Sequence, residues 1–501
     1  MQVFDRAVLL IKRDHTLGTI LERVAKVHGK RRMVEEAGDG LRLTFQQASK
    51  RVNRWAGGIA AKAEPGERVV IATENGYEML LLSLAASRAG AIPVPVNPQM
   101  RPDEVKHVIA DSGANLVIRA ANEVDDTEPL AEAHPADPDA TAALFYTSGT
   151  TGKPKGVELT HRALVGQLAS SAALPATRLV RGEAVIGLPI AHIMGFISAL
   201  GLACAGLPVY FLPRFRPTDV LDAIEQRKAS MFIGVPAMYR MLLEAGAEER
   251  DLGSIRVWGA GADAMPPELA HKFKQFGATA TLPVVGPVGE AMFFEGYGMV
   301  ESGGGAAAKV SPPMLSVGLG ESLGFPLPGY KFRVVDEDGK EAGSGQIGEL
   351  LIKGPGVTKG YWGDAAATEA TVTADGWLRT GDLARKGVFG SVLFAGRKKD
   401  VIKHGGYSVY ALEVERAIED HPDVLEAAAT GLPDDRKGEI PVAAVRLAEG
   451  ASVSADELKA WVAERLSDYK APQRIVFVDE LPRTGTNKVQ KRELLELFSP
   501  Q

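Results

Sequence analysis

The chain has 501 residues, 45% apolar and 24% charged, with 57 basic against 63 acidic side chains and a formal charge of −6. That length exceeds one ordinary core and implies two or more domains of a soluble globular type. The mildly acidic balance gives no reason to expect nucleic acid as a partner.

The N-terminus has Asp5 and Arg6 ahead of a short apolar stretch at 7–11, which is not the pattern of a signal peptide. From there the pattern predicts a strand over 41–45 and a helix over 47–61, then a strand over 68–72 and a helix over 77–89. A buried strand over 91–96, a helix over 102–111 and a strand over 115–118 follow. This βαβα alternation implies a largely parallel sheet covered by helices. The acidic, Pro-containing stretch 122–140 reads as a surface connection.

An apolar strand over 142–146 then feeds Y-T-S-G-T-T-G-K-P-K-G, from Tyr146 to Gly156, with a helix predicted over 157–168. Thr147, Ser148, Thr150 and Thr151 offer hydroxyls, Gly149, Gly152 and Gly156 allow close backbone approach, and Lys153 and Lys155 add positive charge. A strand running into such a loop is a means of presenting backbone N–H groups to a polyphosphate. The spacing is not that of a Walker A loop, because Gly149 and Gly152 are too close and Pro154 follows Lys153.

The run 184–213 contains no Lys, Arg, Asp or Glu, but Pro189, His192 and Pro208 break it. It reads as soluble core, with a small-residue helix over 193–207 and a strand over 209–212, and leaves peripheral membrane contact open. The one cysteine, Cys204, lies here; it rules out an intramolecular disulfide, fits a reducing compartment and reads as a buried thiol. Further strands are predicted over 184–188, 231–234 and 255–258, and helices over 217–228, 236–245 and 266–275, each opening with proline near its start. Past 326 the texture changes to short strands and Gly-rich turns, over 330–335 and 349–353, which predicts an antiparallel subdomain. Beyond 400, helices over 411–419 and 454–466 alternate with strands over 426–431, 441–447 and 474–478, enough for a small α+β domain.

The loop at 146–156 closely resembles the phosphate loop of the adenylate-forming superfamily of acyl-CoA synthetases, luciferases and peptide-synthetase adenylation domains, and further motifs follow in the family's order. Gly296 to Glu301, G-Y-G-M-V-E, resembles a motif whose tyrosine stacks on adenine and whose glutamate binds the magnesium of Mg·ATP. Val300 stands where the family has threonine. Gly376 to Leu383, G-W-L-R-T-G-D-L, resembles the ribose-binding segment, and 396–415, opening G-R-K-K-D-V-I-K-H-G-G-Y, resembles the segment carrying the interdomain hinge.

The resemblance implies an α/β protein with a large N-terminal domain over 1–396, built of parallel α/β-layered subdomains and a small antiparallel one. A hinge at 397–400 and a small mobile α+β C-terminal domain over 401–501 complete it. The implied reaction is ATP-dependent: carboxylate and ATP give acyl-AMP, then acyl-AMP and coenzyme A give acyl-CoA. Lys488, Glu301 and His192 would be catalytic. Thr147, Ser148, Gly149, Thr150, Thr151, Lys155, Gly261, Ala262, Tyr297, Gly298, Asp382, Arg397, Gly405 and Gly406 would bind ATP or coenzyme A. Thr150 and Glu301 would hold Mg²⁺, and Lys399 would be the pivot.

No acid occurs in 184–213 to pair with a substrate ammonium, which argues against an amino-acid substrate. His192, Met194, Phe196, Trp258 and Met299 are the candidate acyl-pocket residues, so a fatty or other hydrophobic acid is favoured. Partners would be that acid, ATP and coenzyme A in the cytoplasm. A carrier-protein acceptor, a non-catalytic sensor and a homodimer remain open.

Overall fold

A computed structural model describes residues 14–498 except 39, 126, 148–152, 167, 169–181, 315–321, 388–389 and 484–488. Two compact units emerge: Met1–Lys331 with Ile352–Leu378, and Phe332–Leu351 with Arg379–Gln501.

In the first unit, the largest sheet among the described residues has nine strands. Its centre is parallel: Met292–Tyr297, Val257–Gly261, Met231–Gly234, Ala184–Ile186, Val209–Phe211 and Arg32–Glu36 lie side by side. Antiparallel strands Ala307–Ser311 and Arg42–Thr44 flank this centre. A separate parallel trio, Ile92–Pro95, Arg68–Ile71 and Leu116–Ile118, matches the βαβα alternation of the first third of the chain.

The helices follow their sequence signals closely. Phe45–Ala60 begins after Thr44, whose Oγ1 accepts from Gln47 N at 3.2 Å while Gln47 Oε1 accepts from Thr44 N at 2.8 Å. Its Phe45, Ala48, Val52, Trp55, Ala56 and Ile59 recur every three or four residues, and all are buried. Ile193–Ala205 starts at His192 and ends at Gly206 in the left-handed region with φ 71°. No helix among the described residues is long and apolar enough to cross a membrane. Cys204 is fully buried, which pushes its thiol pKa up to about 12.

One expectation changes. The segment predicted as a helix over 157–168 is instead the strand Lys155–Thr160, followed by a short helix His161–Val165. Val157 and Leu159 alternate with half-buried Glu158, a period of two, and Thr160 Oγ1 caps the helix by accepting from Ala163 N at 3.0 Å. Lys155–Thr160 pairs antiparallel with Thr141–Thr147, so the phosphate-loop motif closes a hairpin. Ahead of Tyr297 the chain forms a hairpin, Ala280–Leu282 with Gly286–Val288, and then the strand Met292–Tyr297.

The second unit has a four-stranded sheet of Lys331–Val335, Gly348–Lys353, Leu378–Lys386 and Val392–Arg397. It also has a five-stranded sheet in which Arg474–Phe477 runs parallel to Gly438–Leu447. Val414, Ile418, Val445, Leu458 and Val462 form the core beneath that sheet.

Candidate active site

The first unit gathers several motif residues at the carboxyl ends of its parallel strands, the usual ligand position in an open α/β sheet. Gly261 and Gly296 are register partners at the ends of Val257–Gly261 and Met292–Tyr297. A Cβ on Gly261 would lie 3.1 Å from the Gly296 oxygen and 3.4 Å from Met194 Cε. Ala262 has φ 69°, a strained value for alanine that turns the chain sharply off the strand. A Cβ on Gly298 would be 2.5 Å from the Gly304 oxygen, so only glycine lets the two backbones pass. Tyr297 and Met299, which flank Gly298, are half-buried.

His192 stands at the start of the helix Ile193–Ala205, where its Nδ1 accepts from Met194 N at 3.3 Å. Met194 is half-buried, whereas Phe196 is fully buried and meets Phe145 edge-on at 5.2 Å. Trp258 does not join them. It points to the opposite face of its strand from Gly261, into the aromatic cluster with Phe232, Tyr239 and Phe273. Alternation along the strand imposes this, because 258 and 261 differ by an odd number of residues.

At the phosphate-loop hairpin, Thr147 and Lys155 face each other across the ladder. Ser148, Gly149, Thr150 and Thr151 lie outside the described residues. Tyr146 donates from its hydroxyl to Asp111 Oδ2 at 2.8 Å and covers Gly156, where a Cβ would be 3.0 Å from the ring. Lys155 Nζ donates to Asp364 Oδ2 at 2.9 Å and lies 5.5 Å from the centre of the Tyr361 ring. The Lys155 ammonium is the largest influence holding the half-buried Asp364 carboxyl below its usual range. Tyr361 in turn donates to Glu301 Oε1 at 2.9 Å. Neither Tyr361 nor Asp364 was selected by sequence reasoning. The signal for Asp364 was present, since Asp before A-A-A-T-E is a helix start, and its Oδ1 accepts from Ala367 N at 2.9 Å.

In the second unit, Asp382 and Arg397 are opposite each other in the antiparallel register of Leu378–Lys386 and Val392–Arg397. Arg397 Nε is 2.8 Å from Asp382 Oδ1, and Thr380 Oγ1 accepts from Asp382 N at 3.0 Å. Burial, partly offset by Asp400, holds the Lys399 ammonium below its ordinary value. Gly405 and Gly406, with φ 57° and 86°, form the two-residue turn between Val401–His404 and Tyr407–Tyr410. That double positive φ is the geometry of a tight hairpin. A Cβ on either glycine would meet nothing within 4 Å, so the turn is open to an approaching chain. Lys491, near the C-terminus, pairs with Glu415 at 2.5 Å; Lys488 lies outside the described residues.

The profile of the family described as AMP-binding enzyme matches residues 21–362, and that of its C-terminal domain matches 413–488. A feruloyl-CoA synthase of Amycolatopsis is 33% identical over 92% of this chain and 94% of its own length. A fatty acid–acyl-carrier-protein ligase of Streptomyces coeruleorubidus is 32% identical over 92% of both chains. The solved o-succinylbenzoate coenzyme A synthetase of Bacillus subtilis, in complex with ATP and a magnesium ion, superposes with a TM-score of 0.79 at 29% identity. That match covers 95% of this chain and 99% of that one. The chain belongs to the AMP-binding enzyme family and is an adenylate-forming, AMP-producing acid–thiol ligase.

Proposed function

We propose that the acid is a fatty or other hydrophobic carboxylic acid and that free coenzyme A is the acceptor. The convergence of Gly261, Gly296 and Met194 beside His192 carries this reading: the groups gathered at these strand ends are glycine, thioether and neutral imidazole. An ammonium or a second carboxylate would have no charged partner among those residues.

In the first step a carboxylate oxygen attacks the α-phosphorus of ATP, and pyrophosphate leaves with the bonding electrons. In the second, the coenzyme A thiol loses its proton, its sulfur attacks the acyl carbon, and AMP departs. We assign the phosphates to Thr147, Ser148, Gly149, Thr150, Thr151 and Lys155. Gly261, Ala262, Tyr297 and Gly298 would take the adenine, and Asp382 and Arg397 the ribose. Lys488 would stand between the carboxylate and the α-phosphate, where an ammonium offsets the crowding of two oxyanions. Lys399 would be the pivot of the small domain, and the open Gly405–Gly406 turn would pass the pantetheine chain. Met194, Phe196 and Met299 would line the acyl pocket with His192.

Among the described residues no three His, Cys, Asp or Glu side chains cluster to hold a metal. A magnesium ion carried by ATP does not need such a cluster, since one carboxylate plus phosphate oxygens satisfies it. Glu301, with the Thr150 hydroxyl, fits that donor set. The ion supplies charge neutralisation on the phosphates. A single cysteine fits a reducing compartment, and we assign the protein to the cytoplasm on that ground.

Pyrophosphate release with a panel of acids, each with and without coenzyme A, in wild type and Lys488→Ala, tests the proposal. The expected pattern is release that requires an apolar acid, multiplies with coenzyme A and collapses in the variant. A single slow turnover regardless of coenzyme A would favour a carrier-protein acceptor, the chemistry named for the Streptomyces coeruleorubidus relative. No release with any acid would refute the catalytic reading.

A further inference from the structure

We propose that Tyr361 is a positioning residue whose hydroxyl sets the orientation of the Glu301 carboxylate and ties it to the phosphate-loop hairpin. The inference rests on the reading of Glu301 as the group that meets magnesium-bound ATP.

The segment 358–364 touches both partners. On one side it extends the hairpin as a third strand: Gly360 pairs with Glu158 and Tyr361 with Val157. Trp362 N donates to the Gly156 oxygen at 2.8 Å, and Thr358 Oγ1 donates to the Glu158 oxygen at 2.7 Å. On the other side, Thr358 N donates to the Glu301 backbone oxygen at 2.8 Å. The Tyr361 hydroxyl then reaches the Glu301 carboxylate at 2.9 Å. Lys155, which follows the phosphate loop, lies over the same ring and bonds to Asp364 at the end of the segment. One short segment thus holds the outgoing strand of the loop, its lysine and the acidic side chain.

The choice of partner has a chemical consequence. A free glutamate loses rotamer freedom when fixed, so a carboxylate already oriented binds a cation at lower entropic cost. Arg or Lys would orient it too, but would cancel its charge. A phenol is a neutral donor: it fixes one oxygen and leaves the negative charge for the cation.

The test is titration calorimetry of ATP into the full-length protein at a series of free magnesium concentrations, and in chelator, for wild type, Tyr361→Phe and Glu301→Gln. Phenylalanine keeps the ring beneath Lys155 and removes only the donor. The expected result for Tyr361→Phe is roughly a tenfold loss of ATP affinity in magnesium, the scale of one hydrogen bond to a charged group. Magnesium-free binding should be unchanged. In the Glu301→Gln background the tyrosine substitution should add little, because the two act as a unit. A loss equal in magnesium and in chelator would mark Tyr361 as merely structural and overturn the inference. So would a full loss in Glu301→Gln with none in Tyr361→Phe. If Glu301→Gln itself shows no magnesium-dependent loss, the reading of Glu301 fails, and the inference with it.

Discussion

Asp382 and Arg397 form a cross-strand pair in which the carboxylate is almost wholly buried, 3% exposed, and the guanidinium stands 41% exposed. The pair brings together two motifs read separately in the sequence, at 376–383 and 396–415. The arginine pairs with the buried acid while much of its own side chain stays at the surface.

Removing either partner should therefore have different consequences. Arg397→Ala should lower stability by roughly 1–2 kcal/mol, because the buried Asp382 carboxylate loses its ion-pair partner. Asp382→Asn should raise the KM for ATP about tenfold or more while costing less stability. Urea unfolding and ATP-dependent kinetics on the two variants check both statements.

His161 gives a pH dependence with a defined sign. It is buried, its Nδ1 accepts from Leu17 N at 3.0 Å, and burial depresses its pKa from 6.5 to about 4. The unfolded chain takes up the proton first as pH falls. The stability that neutral His161 contributes is thus present above pH 6.5 and is lost progressively down to about pH 4. The full loss is about 3 kcal/mol at roughly 1.4 kcal/mol per pH unit. His161→Gln should flatten the fall in thermal midpoint between these limits.

Gly298→Ala places a Cβ 2.5 Å from the Gly304 oxygen, and neither backbone can yield cheaply. The variant should lose roughly 1–3 kcal/mol of stability, the usual cost of overpacking. It should also bind ATP several-fold more weakly as the turn after Tyr297 shifts.

Met194→Trp adds bulk beside Gly261, where an added Cβ would already lie 3.4 Å from Met194 Cε. Acids with long or wide apolar groups should lose about tenfold or more in kcat/KM, with shorter acids and the KM for ATP little changed. A uniform loss across acids would remove Met194 from the pocket.

Much of this was legible in sequence because its physics is local. Pro at helix starts acts within a few residues, as does the apolar pattern behind the helix expected over 47–61. What escaped was set by distant partners. Met292–Tyr297 becomes a strand because Val257–Gly261 offers it a parallel edge, and its adjacent Phe293 and Phe294 obscure the alternation, one buried and the other 40% exposed. Lys155–Thr160 was mistaken for a helix because its partner Thr141–Thr147 lies across the loop. Trp258 was drawn to the pocket by composition, although its register turns it away. Tyr361 could not be found at all, since its role depends on Glu301, sixty residues earlier in the chain.

The central claim is that a carboxylate oxygen becomes bonded to the α-phosphorus before the thiol attacks. The most direct measurement is mass spectrometry of the products from an apolar acid carrying heavy oxygen in its carboxylate, with ATP and coenzyme A. One heavy oxygen should appear in AMP and none in pyrophosphate. Unlabelled AMP formed alongside acyl-CoA would contradict the account.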